Sequence, residues 1–202
     1  MTTLTEESQR IRTGKFTGSE CHKLMGAKGF GKTGETYIME KVAEYLTGEP
    51  AKQDFTSAAT DWGNRYEPEA KEYFTAATGQ QIDPAHTLSN DLICGTPDGL
   101  LLPDGGIEIK CPFNAGNHVQ NLLLTDQAEV RSERTEYYWQ MMAYMLLTGA
   151  KTWKFCSYHP SFKDEKKMLI LNISRDEAEL TLLTNRLTEA KKLFDDMLGR
   201  IK

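Results

Sequence analysis

Gly95-Thr-Pro-Asp98-Gly-Leu-Leu-Leu-Pro-Asp-Gly-Gly106-Ile107-Glu108-Ile109-Lys110 is the stretch on which the fold of this chain turns. Pro103-Asp104-Gly105-Gly106 reads as a turn between two short apolar runs, so the segment predicts a β-hairpin. Side chains alternate faces along a strand, which puts Glu108 and Lys110 on one side and Ile107 and Ile109 on the other. Asp98 ends the first strand at hairpin distance from Glu108. Two acids converging on one point form a seat for Mg²⁺, a hard cation that prefers oxygen ligands. A lysine beside that seat can hold or deprotonate a water for attack on phosphorus, the chemistry of phosphodiester hydrolysis. A blander reading uses the same letters: Glu-x-Lys as solvated edge charges and Asp98 as a turn residue. The hairpin taken alone leaves both open.

Composition narrows the field. A chain of 202 residues with 39% hydrophobic and 26% charged residues predicts one domain, residues 1–202, with a real core. No apolar run reaches the length of a membrane span, and the polar start Met1-Thr-Thr-Leu-Thr-Glu-Glu is no signal peptide, so a soluble, intracellular protein is expected. Cys21, Cys94, Cys111 and Cys156 include no Cys-x-x-Cys pair, and His22, His86, His118 and His159 show no i, i+4 pairing. Zinc, iron–sulfur and histidine metal sites are therefore disfavoured. A net charge of −5 does not exclude nucleic acid, because a nuclease gathers acids at its metals and needs a basic lining only along the phosphates.

Periodicity predicts helices at Thr17 to Met25 (Thr17 or Ser19 as caps), Glu35 to Leu46, Trp62 to Ala77 and Glu136 to Thr148. Pro68 implies that the third of these is kinked or starts near Glu67. Gln81 to Leu88 reads as an edge strand, Asn114 to Ala128 as loop and short helix, and Lys151 to Tyr158 and Lys167 to Ile173 as strands. Ser174-Arg-Asp-Glu177 reads as a capping box opening a last amphipathic helix through Leu198. Helices around a small mixed sheet make the fold α/β or α+β.

Gly26-Ala-Lys-Gly-Phe-Gly31-Lys32-Thr33 matches the phosphate-binding pattern G-x-x-x-x-G-K-T letter for letter. That device needs a buried strand feeding the loop. Here Ser19 to Met25 reads as helix, so a loop between two helices is expected, with Lys28 and Lys32 free to meet nucleic acid. A nucleotide-binding module remains the non-enzymatic alternative.

Five ordered motifs carry a resemblance: Arg12-Thr-Gly-Lys-Phe-Thr-Gly-Ser19-Glu, Trp62-Gly-Asn-Arg-Tyr-Glu67, Thr96-Pro-Asp98-Gly-Leu, Glu108-Ile-Lys110-Cys-Pro-Phe113 and Tyr137-Tyr-Trp-Gln140-Met-Met-Ala-Tyr144-Met. With them the chain, from about Arg12 to Tyr158, resembles the phage lambda exonuclease family, or YqaJ-type viral recombinases, of the PD-(D/E)xK nuclease superfamily. The resemblance implies a restriction-endonuclease-like core and Mg²⁺-dependent (or Mn²⁺-supported) 5′→3′ digestion of linear double-stranded DNA ends. It also implies a homotrimer ring, a single-strand annealing protein as partner, and a phage or prophage protein acting in a bacterial cytoplasm. An endonuclease of restriction or repair type is the alternative within nucleases.

Residue by residue, the resemblance makes Asp98, Glu108 and the Ile109 carbonyl metal ligands, with Glu67 completing the site around a second ion. Lys110 would position and activate water, with Gln140 near the nucleophile. Arg12, Ser19 and Thr96 match the pocket that grips the terminal 5′-phosphate. A second phosphate-binding arginine is expected shortly after Lys110, where this chain has Gly116. Asn114, Asn117, His118, Arg131 and Arg134 are the candidates to replace it. The exposed face of the last helix is a candidate trimer surface.

Overall fold

The computed structural model describes residues 6–51 and 57–201; the first five residues, part of the polar start discussed above, lie outside them. Helix α1 (Glu6–Arg12) leads to strand β1 (Phe16–Thr17), a 3₁₀ turn at Cys21–Leu24, and helices α2 (Gly31–Thr47) and α3 (Ala58–Thr78). Strands β2 (Leu88–Ser89), β3 (Ile93–Gly95), β4 (Gly99–Leu101) and β5 (Gly105–Lys110) follow, then α4 (Ala115–Leu122), α5 (Gln127–Glu133) and α6 (Thr135–Thr148). The chain continues with β6 (Thr152–Tyr158), the short α7 (Asp164–Lys167), β7 (Met168–Ser174) and α8 (Glu177–Arg200). The strands form two small mixed sheets, β1-β3-β2 and β4-β5-β6-β7, flanked by helices in an α+β fold.

The expected hairpin is present. β4 and β5 are antiparallel, pairing Gly99 with Ile107 and Leu101 with Gly105. β6 then lies parallel to β5, which requires the long crossover through α4, α5 and α6. Ile107 and Ile109 pack with Ala70 and Phe74 of α3 and with Leu101, Cys156 and Tyr158. The opposite face of β5 therefore carries Glu108 toward α6. Gly106 is required by packing: a Cβ there would stand 2.2 Å from the Trp153 ring. α6 is buried on nearly every side from Tyr138 to Met145, which explains its almost uniformly apolar sequence. It packs with buried residues of α2 and α8 in the larger core cluster.

Four expectations need correction. Thr17 to Met25 is not an α-helix, because Phe16 and Thr17 pair in parallel with Ile93 and Cys94, and the Gly18 N–H donates to the Cys94 carbonyl. Of the two alternatives at Pro68, a start near Glu67 does not hold: the helix begins at Ala58 under a cap from Ser57 and runs on through Pro68. Pro68 is tolerated because both it and Asn64, whose carbonyl loses its donor, are exposed to solvent. Gln81 to Leu88 is not a continuous strand: Asp83 forms a single bridge with Leu100, and Leu88 opens β2, which pairs with β3 instead. The last helix is capped by Asp176, whose side chain accepts from the N–H groups of Ala178 and Glu179, rather than by Ser174.

Candidate active site

β5 brings Glu108 and Lys110 to one face, as the alternation predicts. Lys110 Nζ lies 2.5 Å from Glu108 Oε1. The Ile109 N–H donates to Asp98 Oδ2 at 2.7 Å, extending the hairpin by one side-chain bond past its last backbone pair. A residue's N–H and C=O leave a strand toward the same neighbour, so the Ile109 carbonyl faces the Asp98 edge. Glu67 approaches from α3, buried, with Lys71 Nζ at 2.8 Å. The hairpin alone could not reveal this acid, which reaches the site from a separate helix.

α6 supplies the other wall. Lys110 Nζ donates to Gln140 Oε1 at 3.3 Å and sits 4.9 Å from the centre of the Tyr137 ring. Gln140 Nε2 donates to the Tyr144 hydroxyl at 3.0 Å, which donates to the Thr96 carbonyl at 3.1 Å. The buried amide thus has a partner at both its oxygen and its nitrogen, as burial demands. Gly18 and Gly95 make room for the Tyr144 ring, where added Cβ atoms would stand 2.9 and 2.6 Å from Cε1. Tyr137 and Tyr144 are functional candidates that the site reading missed, although the signal was available: they lie three before and four after Gln140 on one helix face.

The electrostatics are those of crowded carboxylates. Burial, reinforced by the Asp98 charge, pushes Glu108 up to about 8 against the pull of Lys110. Asp98 is also raised, by burial first and then by Glu67, while Lys110 and the Ile109 N–H oppose. Burial works against the Lys110 ammonium, but Glu108 and Asp98 more than offset it, so the amine is raised and stays charged. Burial also opposes the charge on Glu67, yet its pKa falls, helped by the Lys71 bond. Among the described residues, no three His, Cys, Asp or Glu side chains are drawn close enough to hold a metal as they stand. The donor chemistry nevertheless fits a hard divalent cation. Glu108 Oε2 is buried without a hydrogen-bond partner, and an oxygen-seeking cation would relieve the mutual repulsion of these acids.

The three terminal-phosphate candidates lie on the Tyr144 side. Thr96 Oγ1 is 2.7 Å from Thr87 Oγ1, which donates to Ser8 Oγ of α1 at 2.8 Å. Ser19 Oγ lies 3.5 Å from Thr17 Oγ1. Burial raises both the Cys94 thiol and the Tyr144 phenol, and the Arg12 charge pulls each back.

Past Lys110, Gly116 is exposed in the first turn of α4, and the candidates to replace the expected arginine separate. His118 is wholly buried, bonded to Ser157 Oγ and the Lys166 carbonyl at 2.8 Å each, and cannot serve. Arg131 is neutralised by Glu179 at 2.8 Å. The Asn114 side chain caps α4 through the Gly116 N–H. Asn117 and Arg134 line a cleft that Lys110 also lines. In the glycine loop, a 3₁₀ turn and not a strand precedes Gly26, and Gly31, Lys32 and Thr33 already belong to α2. The phosphate-loop reading lacks its strand.

A family model for the YqaJ-like viral recombinase domain matches residues 7–151. The alkaline exonuclease LHK-Exo from Laribacter hongkongensis is similar, at 26% identity and a TM-score of 0.82 over 96% of this chain and 95% of that one. LHK-Exo in complex with dAMP gives 26% and 0.84 over 98% and 96%. A phage-related exonuclease from Haemophilus somnus 129PT, 18% identical, shares the fold at a TM-score of 0.80 over 96% and 99%. The comparison with curated proteins found no match. Matched over more than half its length, the chain belongs to the YqaJ-like viral recombinase domain family.

Proposed function

We infer that this YqaJ-like protein is a recombination-related nuclease, and specifically a metal-dependent exonuclease. It digests linear double-stranded DNA 5′→3′ to mononucleotides and leaves a 3′ single strand for annealing. The observation that carries the reading is the buried Glu108 held against Lys110, which in turn bonds Gln140, with the Asp98 carboxylate fixed beside them by the Ile109 N–H. Acids are not gathered in this way for stability alone, because each raises the cost of charging the next. The similar LHK-Exo structures support it, one an alkaline exonuclease and one holding dAMP, a nucleoside monophosphate of the class such a reaction releases.

Asp98, Glu108, the Ile109 carbonyl and Glu67 would hold Mg²⁺, with Mn²⁺ as a substitute. When bound, such an ion supplies charge stabilisation at the phosphate undergoing in-line displacement. Lys110 stays protonated between Glu108 and Asp98, so it acts as a donor that orients the incoming water and steadies developing negative charge. Gln140, fixed by Tyr144, holds the Lys110 ammonium at its post. Arg12, Ser19 and Thr96 grip the terminal 5′-phosphate, the arginine through its planar fork. A homotrimer ring around the duplex and an annealing protein that takes up the single strand complete the proposal, in the cytoplasm of a bacterial host.

The test sets linear duplex with 5′-phosphate or 5′-hydroxyl ends beside a covalently closed circle. The linear forms should be shortened from the 5′ end in Mg²⁺ while the circle survives. Lys110→Ala should lose roughly 10³-fold in rate with duplex binding retained. A circle cut as fast as linear DNA, or an active Lys110→Ala protein, would sink the assignment.

A further inference from the structure

A cleft of about 470 Å³ opens beside Lys110 at the N-terminal end of α6, where Arg134, Glu136 and Tyr137 line it. The bonded series Lys110, Gln140, Tyr144, Thr96 runs the other way, toward the C-terminal end of that helix. At the helical rise per residue, Arg134 stands roughly 15 Å along the axis from Tyr144. The cleft and the Thr96 pocket therefore flank Lys110 on opposite sides.

Arg134 is held in that cleft by neutral acceptors. Its Nε donates to Asn121 Oδ1 at 2.6 Å, Nη1 to the Glu133 carbonyl at 2.6 Å, and Nη2 to Gln120 Oε1 at 3.0 Å. Three of its five N–H groups are used in this way, and each terminal nitrogen keeps one for a ligand. The charges nearby differ in kind. Lys110 is neutralised by Glu108 and Arg131 by Glu179, whereas no carboxylate pairs with Arg134 among the described residues. Glu136 is the one acid among the lining residues; Asn114, Asn117 and Gln120 are neutral amides. A guanidinium fixed by uncharged neighbours, with two N–H groups not taken up by these bonds, is a preorganised anchor for a phosphate.

Resting on the nuclease reading above, we propose that this cleft is a second backbone subsite. In it Arg134 grips an internal phosphodiester of the bound strand, across Lys110 from the terminal phosphate. Asn117, exposed on the same wall, offers its amide to that strand. The subsite holds duplex whether or not the end carries a phosphate, which is how it differs from the pocket around Arg12, Ser19 and Thr96.

The test is fluorescence anisotropy of a labelled hairpin duplex, with a 5′-phosphate or a 5′-hydroxyl, in EDTA across a range of NaCl. Arg134→Gln should weaken both duplexes about tenfold and lower the slope of log Kd against log salt by about one, the loss of one phosphate contact. Arg134→Lys should recover the slope but not all of the affinity. Asn117→Asp, a surface change that leaves the Arg134 bonds intact, should weaken both duplexes several-fold, so the test survives if Arg134→Gln fails to fold. Unchanged affinity in Arg134→Gln and Asn117→Asp overturns the proposal. So does a loss confined to the 5′-phosphate duplex, which would make Arg134 a terminal-phosphate grip. Wild-type protein that binds neither duplex would instead defeat the nuclease reading on which the subsite rests.

Discussion

Gln140 and Tyr144 tie the two halves of the candidate site together, since the amide touches Lys110 and the phenol touches the Thr96 carbonyl. Tyr144→Phe leaves the Gln140 amide and the Thr96 carbonyl without that partner. It should cost about 1–2 kcal/mol by chemical denaturation. Because Gln140 then loses its fixed position, kcat should fall roughly ten- to hundredfold. An unchanged kcat at lowered stability would assign Tyr144 to packing alone. A second residue-scale expectation concerns His118, kept neutral by burial, which lowers its pKa, although the bond to the Lys166 carbonyl opposes. The unfolded chain takes up a proton on this residue as pH falls through about 6.5, while the folded chain resists. Stability linked to His118 is therefore full above that pH and is lost below it. Because Asp98 and Glu108, whose pKa values are raised, act in the opposite sense, the measurement is a difference. The stability of wild type minus that of His118→Asn should shrink between pH 7.5 and 5.5. A difference independent of pH would contradict the burial argument.

Among the elements, α8 offers the clearest check on how the chain starts its helices. The Asp176 carboxylate accepts from the Ala178 and Glu179 N–H groups at 2.9 and 3.1 Å. Asp176→Ala should cost about 1 kcal/mol in denaturant titration. Ser174→Ala should stay within about 0.5 kcal/mol, because Ser174 uses its backbone to bond Gln127. The reverse order would restore the capping box. β5 was the most legible element: alternation alone assigned Ile107 and Ile109 to the core and Glu108 and Lys110 to the site. The strand reading failed at Phe16–Thr17, where two residues pair with a segment more than seventy residues later. No local period marks so short a strand. The start of α3 near Glu67 fails because the cost of a proline depends on whether the freed carbonyl meets solvent, a property of the folded surface.

For the molecule as a whole, the proposed cation is linked to folding. Mg²⁺ at a hundredfold excess over its Kd should stabilise the protein by roughly 2–3 kcal/mol, seen as a rise in Tm that EDTA reverses. In Asp98→Asn, whose amide oxygen can still accept from the Ile109 N–H, that rise should vanish. Persistence of the full rise would place the ion elsewhere. No helix among the described residues is long and apolar enough to cross a membrane. The sequence by itself determined the hairpin, the faces of β5, the buried character of α6 and the five ordered motifs, because periodicity and turn chemistry are local. Tertiary structure alone decided that Tyr144 joins Gln140 to Thr96 and that His118 is sealed in the interior. It also decided that Arg134, and not Arg131, keeps an uncompensated charge beside Lys110. Two arginines three residues apart on the chain meet different partners, and only the packing of α4 and α8 around them selects which one is neutralised.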